Sequence, residues 1–211
     1  MKDTDRKLLL KKSKPVIGRI ERLHPFKMLG YLLILSSSLA LIFMIISFFQ
    51  SIQFRIDQFT PYKLPRFYAV STLILSLSMV FSVQILNLYQ HDQVRRLRIA
   101  LSMVLIMGLV FIITQSLAWL ELLQFPSEPQ AQMLLSYLFL FSGSHMVLMV
   151  GALVLVAVLF YKISSIEDDP VKSLILLTNP YEKVKLEIFA TAWHYLVATW
   201  LFLYLLFLFI V

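Results

Sequence analysis

Residues 28–49 read MLGYLLILSSSLALIFMIISFF, a run without a single Asp, Glu, Lys or Arg. Four further runs share this property, so that the set is 28–49, 67–88, 99–120, 136–161 and 188–211. As a helix, even the shortest of them is about 33 Å long, enough to cross a hydrocarbon core of about 30 Å. Helix is predicted for all five runs, because a bilayer leaves backbone groups no water and the alternation of a membrane barrel is absent. The sequence therefore predicts an all-α, five-helix membrane domain over residues 28–211.

The composition of the whole chain supports a membrane protein. Of its 211 residues, 59% are hydrophobic and 15% are charged, whereas soluble domains average about 45–50% and about 25%. These values exclude a soluble enzyme, a disordered chain and a fibrous protein. The net charge of +7 is typical of cytoplasmic loops in so apolar a chain, and no nucleic-acid partner is expected. Without cysteine, the chain has no thiolate ligand or disulfide.

The positive charges predict the orientation. Of 19 Lys and Arg residues, 16 fall in three segments that must lie on one side: the tail 1–27, the loop with Arg95, and the loop 162–187. The positive-inside rule places the N-terminus in the cytoplasm and the C-terminus in the periplasm. The basic tail 1–27 is too long for a cleavable signal peptide, so we expect it to be retained. Asp169 and Asn179 precede prolines, which predicts a turned loop between the last two spans.

The charged residues also bear on mechanism. All 12 Asp and Glu residues lie outside the five runs, whereas pumps and transporters usually hold ionisable groups at mid-membrane. The chain shows no phosphate loop, metal-ligand cluster or nucleophile–base set. We therefore expect no catalytic, metal-binding or cofactor-binding residue in this chain.

Two histidines in the spans, His145 and His194, raise the possibility of a bis-histidine haem site. Counted from the inner ends of their spans, they differ in depth by about 15 Å, too far for two ligands of one haem. The alternative is that each histidine faces the bundle interior and hydrogen-bonds a neighbouring hydroxyl or carbonyl.

Residues around His194 share one side of the last span. Glu187 lies seven residues before His194, hence on nearly the same helix face. With Trp193 and Trp200 these residues predict either a groove in the inner leaflet that faces a partner or lipid, or an interfacial anchor.

Small residues indicate where helices touch. Ser71, Ser78 and Ser82 share one face of the second span. Gly143, Val147 and Gly151 form a stripe at a spacing of four residues in the fourth span, which predicts that a neighbouring helix packs closely there.

The last helix resembles a known family. Residues 193–204, WHYLVATWLFLY, resemble the closing signature of subunit III of the haem-copper oxidases, commonly WHFVDVVWLFLY. Glu187 matches the glutamate that the family places seven residues before this histidine. Residues 143–145, GSH, are similar to the family's GFH, and Gln115 with Trp119 resembles its Q-x-x-E-aromatic stretch. The match covers about residues 64–211, and only the last helix is specific.

The resemblance implies a divergent, five-helix bacterial form of subunit III. Such a subunit lacks redox centres and lies beside subunits I and II, which hold the haem and copper of the oxidase. It supports assembly, stability, structural phospholipid binding and proton uptake. Four polar positions of the family pattern differ here, at Ser37, Ala118, Leu148 and Val197, which favours the scaffold and lipid roles over proton uptake. The residues implied are His145, His194, Glu187, Trp193, Trp200 and Gln115, as interior hydrogen-bonding or lipid-facing groups.

The expected function is therefore a non-catalytic subunit of a cytochrome c oxidase-type terminal oxidase in the bacterial inner membrane. One alternative is a structural subunit of another respiratory complex, or of an oxidase joined to a cytochrome c reductase. Alternatives of a different class are a free-standing membrane haem protein and a small transporter.

Overall fold

The computed structural model of the chain describes residues 25–53, 63–124, 129–166 and 169–210. Helices account for nearly all of these residues: α1 (Pro25–Gln53), α2 (Arg66–Ser82), α3 (Ile85–Gln90), α4 (Val94–Leu122), α5 (Pro129–Ser164), α6 (Pro170–Thr178) and α7 (Pro180–Ile210). Five segments are long and apolar enough to cross a membrane, namely α1, α2 together with α3, α4, α5 and α7. The prediction of an all-α chain is confirmed for the described residues, and five of its helical segments have the length and apolarity that membrane spans need. Of the predicted tail 1–27, residues 1–24 lie outside the described part of the chain.

The second predicted span is interrupted. It divides into α2 and α3 at a turn formed by Val83 and Gln84. The turn keeps its backbone hydrogen bonds, since the Val83 N–H donates to the Met79 carbonyl at 3.1 Å and the Leu88 N–H donates to the Gln84 carbonyl at 2.9 Å. The polar Gln84 side chain donates to the Val80 carbonyl at 3.0 Å, so the turn leaves no amide side chain unpaired in the apolar span.

The segment between the last two spans is largely helical, and the prediction of a turned loop was wrong for most of it. Asp169 caps α6, because its carboxylate accepts from the backbone N–H groups of Val171 (3.0 Å) and Lys172 (3.2 Å), and Pro170 takes the first helical position, where a missing N–H costs nothing. Asp169 and Asn179 have extended backbones, as the following prolines predicted. The Lys172 N–H, then the Lys172 ammonium, hold the pKa of Asp169 below its usual value.

Four spans form a closely packed body: α2 with α3, α4, α5 and α7. Ser71, Ser78 and Ser82 are buried, which confirms the packing face predicted for α2. At the start of α2, the Arg66 N–H donates to the Glu121 carboxylate at 2.8 Å. Glu121 therefore caps α2.

Gly108 of α4 lies directly against side chains of α5 and α7. A Cβ atom there would lie 2.5 Å from Leu153 Cδ2 and 2.9 Å from Trp193 Cη2, whereas a Cβ on Gly151 would meet nothing within 4 Å. The predicted stripe on α5 is therefore wrong as a packing face, since its central residue, Val147, is 73% exposed. Both Val147 and Gly151 instead border an open groove.

The first helix, α1, stands apart from the body. Phe48 is the one buried side chain among the described residues of α1. The helix contacts α7 and, less extensively, α5. We call the end of the bundle that carries Lys27, Lys162 and Lys185 the lysine end, and the other end the Glu121 end.

Candidate functional site

A groove separates α1 from α5 and α7, and we call it the α1 groove. It consists of three adjoining cavities of about 420, 370 and 350 Å³. The first and second share Leu33, Val147, Leu148 and Tyr195 as lining residues, and the second and third share Leu155 and Ile188. The groove therefore follows α5 from Lys162, at the lysine end, to Ser144. We call the first of these cavities, the one that reaches Ser144, the Ser144 pocket.

Polar contacts at three heights hold α1 against the body. They are the ion pair of Lys27 with Glu187, the hydroxyls of Ser37 and Ser38 on Tyr195 Oη (3.0 Å each), and the hydroxyls of Ser47 and Ser51 on Tyr137 Oη (2.9 and 2.8 Å). The groove runs beside these contacts, since Ser37 and Tyr195 line its first cavity. Since lipid supplies little hydrophobic drive for helix association, interhelical hydrogen bonds of this kind carry more of the attachment than they would in water.

A charged cluster lies at the lysine end of the groove. Glu182 is only 4% exposed, and its Oε1 accepts from Lys162 Nζ at 2.7 Å and from Lys185 Nζ at 2.9 Å. Both lysines line the third cavity of the groove, beside the apolar side chains of Val158 and Leu159. One carboxylate and two ammonium groups leave a positive charge at the mouth of an apolar groove.

His145 lies at the other end of the groove, where it lines the Ser144 pocket. It is 4% exposed, and its Nε2 has no hydrogen-bond partner among the described residues. Its ring centre lies 5.0 Å from that of Trp200 and 5.9 Å from that of Phe111. The prediction that His145 bonds a neighbouring hydroxyl or carbonyl is wrong for this nitrogen.

His194 lies in a different environment. Its Nε2 is also buried without a partner in the described part of the chain, so the predicted hydrogen bond is missing here too. The contact between His145 and Trp200 sets the register of α5 against α7, and Trp200 lies six residues, about 9 Å, from His194 along α7. The two histidines therefore differ less in depth than the sequence predicted, because α5 and α7 extend unequally beyond the charge-free runs.

Both tryptophans of the final-helix pattern point into the body. Trp193 and Trp200 are fully buried, and their indole N–H groups donate at 3.0 Å to Ser78 Oγ and Thr72 Oγ1 of α2. The hypotheses of a lipid-facing groove and of an interfacial anchor are therefore wrong for these two residues. Glu187, which the sequence grouped with them, instead pairs with Lys27 of α1.

Gln115 belongs to a buried polar cluster in the half of the body nearer to Glu121. Its Oε1 accepts from Ser71 Oγ at 3.2 Å, while its Nε2 has no partner among the described residues, and neither has Tyr68 Oη. On the same side, the Trp119 indole N–H donates to Ser142 Oγ at 2.9 Å. The structure therefore joins α2 to α4 and α4 to α5 through uncharged polar groups.

Sequence reasoning missed the residues that build the α1 groove. Lys27 and Glu187 lie in the first and last helices, and no local pattern links them. Glu182, Lys162 and Lys185 were counted only as loop charges, although the helical extension of α5 and α7 beyond the apolar runs brings them together. In the described part of the chain, no cluster of His, Asp and Glu has the composition of a metal site.

Comparison with protein-family models and with curated proteins finds no match to this chain.

Proposed function

We propose that this chain is a non-catalytic, subunit III-like component of a bacterial haem-copper terminal oxidase in the inner membrane. The observation that carries the proposal is the set of hydrogen bonds made by residues 193–204 of the final helix. Its two tryptophans, seven residues apart, donate to hydroxyls of α2 in the body. Tyr195, at the position where the family signature has phenylalanine, accepts from Ser37 of α1. The pattern thus supports a scaffold, and the haem and copper chemistry belongs to partner subunits I and II.

The test is the set of proteins that accompany the chain. The full chain, tagged at its C-terminus, is extracted from its native membrane in mild detergent and analysed by native mass spectrometry and visible spectroscopy. We expect subunits I and II of an oxidase, with haem absorbance in proportion to them. Recovery of the chain without oxidase subunits would overturn the proposal. Co-purification with a different respiratory complex, or with an oxidase joined to a cytochrome c reductase, would support the structural alternatives.

Structural phospholipid is the second part of this proposal. The lysine end of the α1 groove combines two ammonium groups with an apolar wall, which fits the phosphate and one acyl chain of an anionic phospholipid. The half-bilayer depth of about 15 Å corresponds to about ten residues of α5, from Lys162 to Ala152. An acyl chain anchored at Lys162 therefore extends along the groove to Ala152, which lines its second cavity.

The lipid part is tested by charge removal. The double variant Lys162→Gln/Lys185→Gln should retain less phosphatidylglycerol in native mass spectra than the unaltered chain. The matched control is Lys172→Gln, since Lys172 lies at the same end but pairs with Asp169 outside the groove. Equal phosphatidylglycerol retention in the double variant and the control would contradict a lipid site at this position.

A further inference from the structure

The short helix α6, between the last two spans, carries an apolar face that is largely exposed. Val171, Leu174 and Ile175 are 67%, 63% and 61% exposed. Because they are spaced by three and four residues, they share one side of the helix, which we call the outer face of α6. Leu176, on the other side, is buried in the core of the body. A contiguous exposed apolar face is typical of a surface that contacts a membrane or another protein.

The last turn of α6 lies at the height where a membrane span ends. The hydroxyl of Tyr89, in α3, donates to the carbonyl groups of Leu176 at 3.0 Å and of Leu177 at 3.2 Å. Tyr89 directly follows the predicted span 67–88. Since a single side chain bridges the two helices, this turn of α6 is within one side-chain length of the end of the second span.

The first half of α6 lies at the end of another span. Ser173 lines a cavity of about 900 Å³ together with three arginines at the start of α4, Arg95, Arg96 and Arg98. Arg98 directly precedes the predicted span 99–120. Both halves of α6 are therefore at the height where spans end, so the helix lies along the membrane surface. This position favours lipid over a partner protein as the contact of the outer face.

The charges beside α6 indicate which lipid. The cavity that Ser173 shares with the three arginines has one acidic lining residue among the described residues, Asp92. Lys172 of α6 pairs with Asp169 at 3.1 Å, so the arginines supply the excess positive charge. Basic side chains beside an apolar helix face attract anionic lipids, because apolar burial and headgroup charge then act together.

We propose that α6 is an interfacial helix whose outer face enters an anionic lipid leaflet at the lysine end. Val171, Leu174 and Ile175 lie at the boundary between headgroups and acyl chains, and the arginines of α4 contact lipid phosphate groups. This surface is separate from the α1 groove, since none of the described residues that line the groove belongs to α6 or to the start of α4. The inference does not depend on the oxidase proposal.

The position of the outer face is tested with nitroxide labels on single-cysteine variants of the full chain, which has no cysteine of its own. Leu174→Cys and Ile175→Cys are labelled and placed in nanodiscs of phosphatidylglycerol and phosphatidylcholine. Power saturation compares collisions with oxygen, which concentrates in lipid, and with a water-soluble nickel chelate. We expect oxygen accessibility to exceed nickel accessibility at both positions.

Two reference positions calibrate this measurement. Val158→Cys lies in the predicted span of α5, where the native side chain is 60% exposed, and should behave as a lipid-facing label. Ser165→Cys is exposed just beyond the end of α5 and should be more accessible to nickel. All four side chains are exposed or lie at the end of a helix, so the variants should fold, and unchanged melting temperatures check this.

The preference for anionic lipid is tested by charge removal. Arg95→Gln/Arg96→Gln should weaken the binding of phosphatidylglycerol, titrated in native mass spectra, by about fivefold for each arginine, the usual contribution of a basic side chain beside an anionic leaflet. Lys172→Gln is the matched control, because this lysine is already paired with Asp169, and its phosphatidylglycerol binding should stay within about twofold of the unaltered chain.

Three results would overturn the inference. Greater accessibility to nickel than to oxygen at Leu174 and Ile175, as at Ser165, shows that the outer face lies in water. Labels shielded from both reagents in the complex extracted with its native partners show that a protein covers this face. Equal phosphatidylglycerol binding in Arg95→Gln/Arg96→Gln and Lys172→Gln shows that the arginines do not hold anionic lipid.

Discussion

Helices α1 and α7 are both membrane spans, yet they are used in opposite ways. Only 6% of the residues in the most apolar part of α1 are buried inside the protein, whereas 33% of those in the most apolar part of α7 are buried. One face of α7 sends Trp193 and Trp200 into hydroxyl-lined positions on α2. Helix α1 contacts the body through an ion pair and through serine and tyrosine hydroxyls, and cavities remain between α1 and the body.

The contrast teaches that apolarity and packing are separate properties of a membrane helix. Lipid tails are as apolar as leucine, so an apolar sequence places a helix in the bilayer but does not press it against its neighbours. Close packing requires small residues and matched polar groups, which the face of α2 with Ser71 and Ser78 provides. The apolar faces of α1 are satisfied by lipid, and a groove remains.

The largest expected effect comes from Gly108 in the packed body, where a side chain has no room. Gly108→Ala places a methyl group 2.5 Å from Leu153 Cδ2, and we expect a loss of about 1–3 kcal/mol of unfolding free energy from overpacking. Gly151→Ala on α5 is the matched control, because its methyl group meets nothing within 4 Å. Thermal unfolding in detergent, followed by circular dichroism, compares the two. Similar losses in both variants would contradict the division into a packed body and an open groove.

A second prediction separates α1 from the body. Lys27→Gln leaves Glu187 without its ion-pair partner, and we expect α1 attachment to weaken by about 1–2 kcal/mol, less than for a fully buried pair. Spin labels at the exposed positions Leu39 of α1 and Phe202 of α7 should show a broader distance distribution, while the melting temperature of the body stays the same. The double variant Lys27→Gln/Glu187→Gln is expected to recover part of the attachment. A fall in melting temperature with unchanged label distances would show that α1 is part of the packed body.

A third prediction concerns the two faces of α7. The Trp193–Ser78 hydrogen bond joins α7 to α2. The double-mutant cycle of Trp193→Phe and Ser78→Ala should give a coupling between about 0.6 kcal/mol, the average for interhelical hydrogen bonds in membranes, and about 1.7 kcal/mol, their maximum. Tyr195→Phe, on the opposite contact, should instead broaden only the α1–α7 label distances. Coupling near zero at Trp193 would indicate that ring packing, rather than the hydrogen bond, holds this face.

The smallest effect is expected at α6, outside both regions. Because the folded-state pKa of Asp169 is lowered, its carboxylate stabilises the folded form above the unfolded-state pKa, and this contribution disappears as pH falls through the folded-state pKa. Hydrogen exchange of the α6 amides should therefore speed up on acidification, after correction for intrinsic rates. Asp169→Asn, which keeps a capping oxygen but does not titrate, should remove this dependence, and exchange in α2 and α4 should not change.

The fold was largely predictable and the site was not. Five charge-free runs required five helices, because backbone groups in lipid must bond within their own segment. The serine face of α2 was also predictable, since small polar residues at helical spacing favour contact. The Gly143–Gly151 stripe has similar spacing and yet borders a groove. Spacing describes which residues share a face and not whether another helix covers it.

The residues of the candidate site show the same division. His145, Glu187, Trp193, Trp200 and Gln115 stood out as polar or aromatic groups in or beside apolar runs. Their partners, Lys27, Ser78, Thr72 and Ser71, could not be assigned, because each lies on another helix that is distant in the chain. The free Nε2 of His145 was equally unpredictable, since satisfaction of a polar atom depends on every side chain around it.

The sequence by itself determined that this chain is a bundle of five membrane helices, because the length of charge-free runs and the cost of unpaired backbone groups leave no other state. It also determined that the Lys and Arg residues lie outside the charge-free runs, at or beyond the ends of the spans. Only the tertiary structure decided that four spans pack closely while α1 stands apart, that both signature tryptophans face α2, and that a groove leads from Lys162 to His145. The physical reason is that insertion depends on the sum of side-chain transfer energies along one segment, whereas packing depends on shape and hydrogen bonds between segments distant in the chain.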